Sequence, residues 1–109
     1  MDEPFLRTML FDFYGDLLTD KQRAYYDLHY MSDLSLFEIA EMQGTSRQAV
    51  WDILRRAEQT LRDIEAKTGL VARAMQRRAA LSELGALIET LPDSDTKQEL
   101  LRRLAELED

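Results

Sequence analysis

Apolar residues recur three or four positions apart over most of the chain. Between Phe5 and Leu18 they fall at Phe5, Leu6, Met9, Leu10, Phe13, Tyr14, Leu17 and Leu18, which places them on one broad face of a helix. Thr19-Asp20-Lys21-Gln22 then has the form of a capping box, a hydroxyl followed three positions later by a glutamine. It predicts a second helix running to about Met31. Ser35-Leu36-Phe37-Glu38 repeats the device and opens a short third helix that ends before Gly44. Ser46 is placed to cap a fourth, which meets no breaker before Thr68-Gly69. A fifth helix is expected from Leu70 to Leu91, stopped by Pro92. Asp93-Ser94-Asp95 reads as a loop and cap, and a last helix continues to about Leu107.

The most informative stretch is Ser35–Leu61. Ala40, Gly44, Val50 and Ile53 stand at the offsets of a helix-turn-helix. A small residue at 40 lets the next helix cross closely, and Gly44 takes a positive φ in the tight turn without steric cost. Val50, Ile53, Ala57 and Leu61 are expected to face inward against Leu36 and Ile39. Arg47, Gln48, Trp51, Asp52 and Arg55 then face outward at the start of a recognition helix, where side chains reach base edges in a major groove. Arginine pairs with guanine and glutamine with adenine. From Thr45 to Arg62 the basic residues are Arg47, Arg55, Arg56 and Arg62 against the acidic Asp52 and Glu58, so the segment is locally positive. Arginines on any solvated helix would give the same pattern. Trp51 has three readings at this point: a stacking platform for an unpaired base, an anchor in a protein interface, or core packed against the terminal helices.

Composition narrows the rest. The 109 residues carry a formal charge of −7, which counts against indiscriminate nucleic-acid binding through many phosphate contacts but not against a local basic surface. With 4 glycines and 2 prolines there are too few turns for a β-rich fold. Cysteine is absent, which removes disulfides and thiolate metal sites. The acidic opening Met1-Asp2-Glu3-Pro4 is unlike a secretory signal, and no apolar run reaches the roughly 18 residues of a spanning helix. A cytoplasmic protein without a membrane partner is expected. His29, the single histidine, is read as structural. No acidic cluster has metal-ligand spacing, and there is neither a Gly-rich phosphate loop nor a nucleophile motif. No catalytic residue, metal or cofactor is therefore expected; the protein should bind and not catalyse. Tyr25, Tyr26 and Tyr30 should pack against the first helix. Leu81, Leu84, Leu87, Ile88, Leu91, Leu100, Leu101, Leu104 and Leu107 form a leucine stripe too apolar for a free hairpin, which predicts packing on the helix-turn-helix unit or on a second subunit as a homodimer. The expected fold is all-α, with a helix-turn-helix unit of four helices over residues 1–68 and a C-terminal helical hairpin over 69–109.

Phe11-Asp12-Phe13-Tyr14, Leu17-Leu18-Thr19 and Lys21-Gln22, leading into Ser35-Leu36-Phe37-Glu38-Ile39-Ala40 and Ser46-Arg47-Gln48-Ala49-Val50-Trp51-Asp52, resemble the YlxM family of small bacterial helix-turn-helix proteins over the first two-thirds of the chain. The Leu36–Leu61 segment is also similar to the promoter-reading domain of bacterial sigma factors. The YlxM resemblance implies an accessory role in the signal recognition particle pathway, with the particle's RNA, its GTPase or both as partners, and contacts at Arg47, Gln48 and Trp51. With Arg55 and Arg56 placed on phosphates, these five residues are the expected nucleic-acid-binding set. A sequence-specific DNA-binding regulator and a protein-only adaptor are the alternatives.

Overall fold

The computed structural model describes residues 3–108. Among them are six α-helices and no strand: α1 (Glu3–Tyr14), α2 (Asp20–Tyr26), α3 (Leu36–Gln43), α4 (Arg47–Thr68), α5 (Leu70–Glu89) and α6 (Asp95–Leu107). A 3-10 turn, Gly15–Leu17, follows α1, and a π-helical turn, Asp27–Met31, extends α2. The chain forms two compact units, Met1–Val71 and Ala72–Asp109.

The helix starts follow the sequence. Thr19 and Ser35 each form a complete capping box, the hydroxyl accepting from the N–H of Gln22 or Glu38 and that residue's side chain accepting from the cap N–H. Ser46 accepts from the Ala49 N–H at 3.1 Å. Each device satisfies backbone donors that helix geometry leaves open.

In the first unit α4 is the central element, packed by α1, α2 and α3. Val50, Leu54, Ala57 and Leu61 are fully buried along it, at the i, i+4, i+7, i+11 spacing of one face. The inward position expected at Ile53 is taken instead by Leu54; Ile53 is half-buried. With helices on several sides of α4 its buried stripe is broad, and a shift of one residue stays within it.

Tyr26 and Tyr30 pack against α1 as expected. Tyr26 is fully buried and stacks on Phe11 with ring centroids 5.0 Å apart. Its hydroxyl donates to the Arg7 carbonyl at 3.1 Å, and Tyr30 lies 4.8 Å beyond it under the Arg7 guanidinium. The Tyr14 hydroxyl donates to Glu65 at 2.6 Å. His29 Nδ1 lies 2.7 Å from the Leu34 carbonyl, so that nitrogen carries the proton and ties down the segment before α3.

The same Glu65 carboxylate accepts from the Val71 N–H at 3.0 Å, and Val71 is buried. The first turn of α5 therefore belongs with the first unit, and the compact units divide after Val71 rather than after residue 68.

In the second unit α5 ends at Glu89, just short of the expected Leu91, where the Thr90 hydroxyl donates to the Leu87 carbonyl. Ser94 caps α6. Lys97 donates to the carbonyls of Glu89 and Leu91 at 3.2 and 3.0 Å, a cation at the open carbonyl end of α5. Ile88 and Leu104 are its buried apolar residues, whereas Leu84, Leu87, Leu91, Leu100 and Leu107 stay exposed. No helix among the described residues is long and apolar enough to cross a membrane.

Candidate nucleic-acid interface

The site is built by the turn between α3 and α4. Gly44 closes α3 in the left-handed region at φ +64°, and the Thr45 N–H reaches back to the Ala40 carbonyl at 3.1 Å. This six-to-one bond satisfies a carbonyl left open at the helix end and reverses the chain within a few residues. Ala40 is buried at the crossing.

Once Val50, Leu54, Ala57 and Leu61 are committed to the core, the opposite face of α4 is fixed. Arg47, Gln48, Trp51, Arg55 and Arg56 are all exposed. Arg47, Trp51 and Arg55 stand four apart on one stripe, so a single ligand can touch all three. Trp51 is 42% exposed, and no other ring among the described residues stacks on it. Trp51 thus stands partly in solvent on the outer face of α4. Gln48 donates to Asp52 at 3.0 Å; Asp52, expected outward, is half-buried.

The basic residues of this segment divide into two groups. Arg62 is bound to Glu3 at 2.9 Å and to Glu58 at 3.4 Å, and Glu58 also holds Arg7 at 2.9 Å. The Glu58 carboxylate keeps the Arg7 guanidinium still more firmly protonated through their hydrogen bond. These charges join α1 to α4 and are not available to a ligand. By contrast, no carboxylate among the described residues lies within ion-pairing distance of Arg47, Arg55 or Arg56. The local positive surface thus rests on three arginines, not four.

Beside Arg47 lies a depression of about 360 Å³ that sequence reasoning missed, lined by Phe37, Ala40, Glu41, Gly44, Thr45 and Arg47. Phe37 is 57% exposed. The spacing of Phe37 and Glu41, four apart on α3, was the available signal. Among the described residues no group of histidine, aspartate and glutamate side chains is placed to hold a metal ion.

Comparison with known proteins agrees with this architecture. The sequence profile described as "UPF0122: Putative helix-turn-helix protein, YlxM / p13 like" matches residues 1–104. A UPF0122 protein of Thermoanaerobacter sp. (strain X514) is 43% identical over 108 residues, spanning 98% of this chain and 92% of that protein. One from Halalkalibacterium halodurans is 41% identical over 108 residues, 99% of each. One from Listeria welshimeri is 47% identical over 78 residues, 72% of this chain and 71% of its own.

Proposed function

The chain belongs to the UPF0122 family of YlxM / p13-like helix-turn-helix proteins, and on that footing we propose that it is an RNA-binding accessory protein of the signal recognition particle pathway. The observation that carries the nucleic-acid part is the exposed face of α4, where Arg47, Arg55 and Arg56 have no acidic partner among the described residues, in a chain of formal charge −7. In such a chain, cations left unpaired along one stripe suit a polyanion of defined shape better than nucleic acid in general. The exposed Trp51 favours RNA over duplex DNA, because its ring can stack only on a base released from a helix. The pathway itself, and a contact to its GTPase, rest on the family resemblance. The protein works by binding and uses no cofactor.

A DNA-binding regulator is favoured by one observation, the placement of Arg47 and Gln48 on the first turn of the second helix of the motif, where base edges are read in a major groove. A protein-only adaptor is favoured by the formal charge of −7, which counts against phosphate contacts.

The second unit supplies self-association. Its exposed Leu84, Leu87, Leu91, Leu100 and Leu107 give a homodimer contact of the kind closed by symmetry.

Titration of the protein against signal recognition particle RNA and against duplex DNA, at two salt concentrations, tests the main reading. The expected result is tighter binding to the RNA, with Arg55→Ala lowering the salt slope by about 0.7–0.9 for each phosphate the arginine had neutralised. Preference for duplex DNA would transfer the assignment to the regulator, and no binding to either would transfer it to the adaptor. Sedimentation equilibrium at micromolar concentration is expected to give twice the chain mass; the monomer mass would remove the dimer.

A further inference from the structure

The depression between α3 and α4 has the chemical make-up of a nucleotide site. Phe37 and Glu41 stand one helical turn apart on α3, Gly44 and Thr45 form the turn, and Arg47 is the first residue of α4. Among the described residues, the side chains of Phe37, Glu41, Thr45 and Arg47 make no hydrogen bond, ion pair or ring contact with other side chains. Their neighbours in sequence behave differently. Glu38 is spent on the Ser35 cap and Gln48 on Asp52. One rim of the site thus holds an unstacked aromatic face, an unengaged carboxylate, a hydroxyl and an unpaired cation. A Cβ built on Gly44 meets nothing within 4 Å, so the turn leaves open space for a planar group to enter.

Each of these groups has a counterpart in a single nucleotide. An unpaired base stacks on an aromatic ring. A carboxylate accepts from base N–H groups, and guanine alone presents two of them side by side on its pairing edge, N1–H and the N2 amine. An arginine binds phosphate through paired N–H donors. A hydrophobic peptide segment is a poorer occupant, because Phe37 is the one large apolar side chain around the rim and charges of both signs flank it. A base pair inside a duplex is poorer still, since its faces are already stacked.

We propose that this depression takes one unpaired guanine of the bound RNA, with its ring on Phe37, its N1–H and N2 amine donating to Glu41 and its phosphate on Arg47. The inference rests on the RNA-binding reading above and adds to it a specificity device at the Arg47 end of the Arg47–Trp51–Arg55 stripe.

The test uses a synthetic RNA hairpin with a single bulged guanine, the same hairpin fully paired, and versions with bulged adenine, cytosine or uracil. Fluorescence anisotropy of the labelled RNAs gives affinities, and a thermal melt of each protein variant checks folding. The unaltered protein is expected to prefer the guanine bulge over the other bulges and over the paired hairpin. Phe37→Ala should weaken binding to that bulge by about five-fold to a hundred-fold and bring it to the paired-hairpin level, while Phe37→Tyr keeps it. Glu41→Gln should erase the preference for guanine over adenine and leave the other affinities in place. Arg55→Ala, outside the depression, should weaken every RNA equally. Equal affinity for bulged and paired hairpins, or a folded Phe37→Ala that binds the guanine bulge as the parent does, overturns this inference; the RNA-binding reading survives if Arg55→Ala still weakens all of them. Absence of binding to any hairpin at low salt overturns both.

Discussion

Helices α4 and α5 are nearly equal in length, 22 and 20 residues, yet they are built on different plans. Along α4, Val50, Leu54, Ala57 and Leu61 are fully buried, and three other helices pack on it. Along α5 the buried apolar positions are Val71, which belongs to the first unit, and Ile88, while Leu84 and Leu87 remain in solvent. The sequences already differ in this respect. α4 keeps its apolar residues in one stripe, whereas α5 spreads leucine and alanine around its circumference. A helix with one stripe specifies where its partners sit. One without a stripe can be satisfied from several sides and leaves apolar surface for another molecule. The first unit encloses a continuous core along α4 and leaves the outer face of that helix in solvent; the second buries Ile88 and Leu104 and exposes five of its leucines, on which the proposed self-association rests.

The largest expected effect that tests this contrast comes from truncating matched leucines. Leu54→Ala removes a fully buried side chain and should cost about 2–5 kcal/mol through forfeited transfer energy and the cavity left behind. Leu87→Ala, at a site 65% exposed, should cost far less in chains kept dilute enough to be monomeric, within about 0.5 kcal/mol of the parent. Urea melts of the two variants measure the difference. Equal losses would mean that the second unit has a core of its own.

Next in size is the turn. Gly44 sits at φ +64° with open space around the position of a Cβ, so the penalty of a side chain there is backbone strain and not collision. Gly44→Val should destabilise by roughly 1–3 kcal/mol, and Gly44→Asn by less, because asparagine tolerates the left-handed region. A parental melt for Gly44→Val would remove the turn as the element that positions α4.

A third measurement uses the fact that all four tyrosines precede Gly69. Burial, reinforced by the nearby Glu58 charge, pushes the Tyr26 phenol well above its ordinary range, and burial raises that of Tyr30 as well. In the unfolded chain a tyrosine loses its proton near pH 10. Above that pH the folded state holds more protons than the unfolded one, so stability falls as pH rises. Below it both states are protonated and the contribution is fully present. Tyr26→Phe should cost about 0.5–1.5 kcal/mol at neutral pH, because the bond to the Arg7 carbonyl is gone. It should also make the alkaline fall shallower, with Tyr30 accounting for the remainder. A fall of unchanged steepness would show that Tyr26 titrates in water.

What could be read in advance was local. The caps at Thr19, Ser35, Ser46 and Ser94 and the positive φ at Gly44 each depend on residues within a few positions of one another, and the exposure of Arg47, Gln48, Trp51, Arg55 and Arg56 follows from the helical period. What escaped the sequence was set at a distance. Leu54 displaced Ile53 because the crossing of other helices decides which of two adjacent stripe residues is enclosed. Arg62 left the basic surface because Glu3, 59 positions away, folds against it. The Tyr14–Glu65 bond spans 51 positions, and no periodicity announces it. In the sequence Phe37 is legible only as part of the Ser35 capping box, and its exposed position beside Arg47 emerges from the fold.

The smallest expected effect separates the two units most finely. Gly85 lies in the middle of α5, where glycine is the wrong residue for a helix by about 0.5–1 kcal/mol relative to alanine. Its role is one of space, since a Cβ there would stand 3.1 Å from Leu104 Cδ2. That approach is tight, but the atom that must yield ends a side chain with two rotatable bonds. Leu104 is buried, but other leucines of the hairpin, Leu84, Leu100 and Leu107 among them, are exposed rather than locked in a core. Gly85→Ala should therefore gain helix propensity and give back a similar amount in displaced Leu104, leaving stability within about 1 kcal/mol of the parent. In a core as closed as that of α4 the same extra methyl would cost about 1–3 kcal/mol, because no neighbour could move aside. A urea melt resolves the two cases. A loss at the upper end of that range would make the hairpin a packed core of the same kind as that along α4.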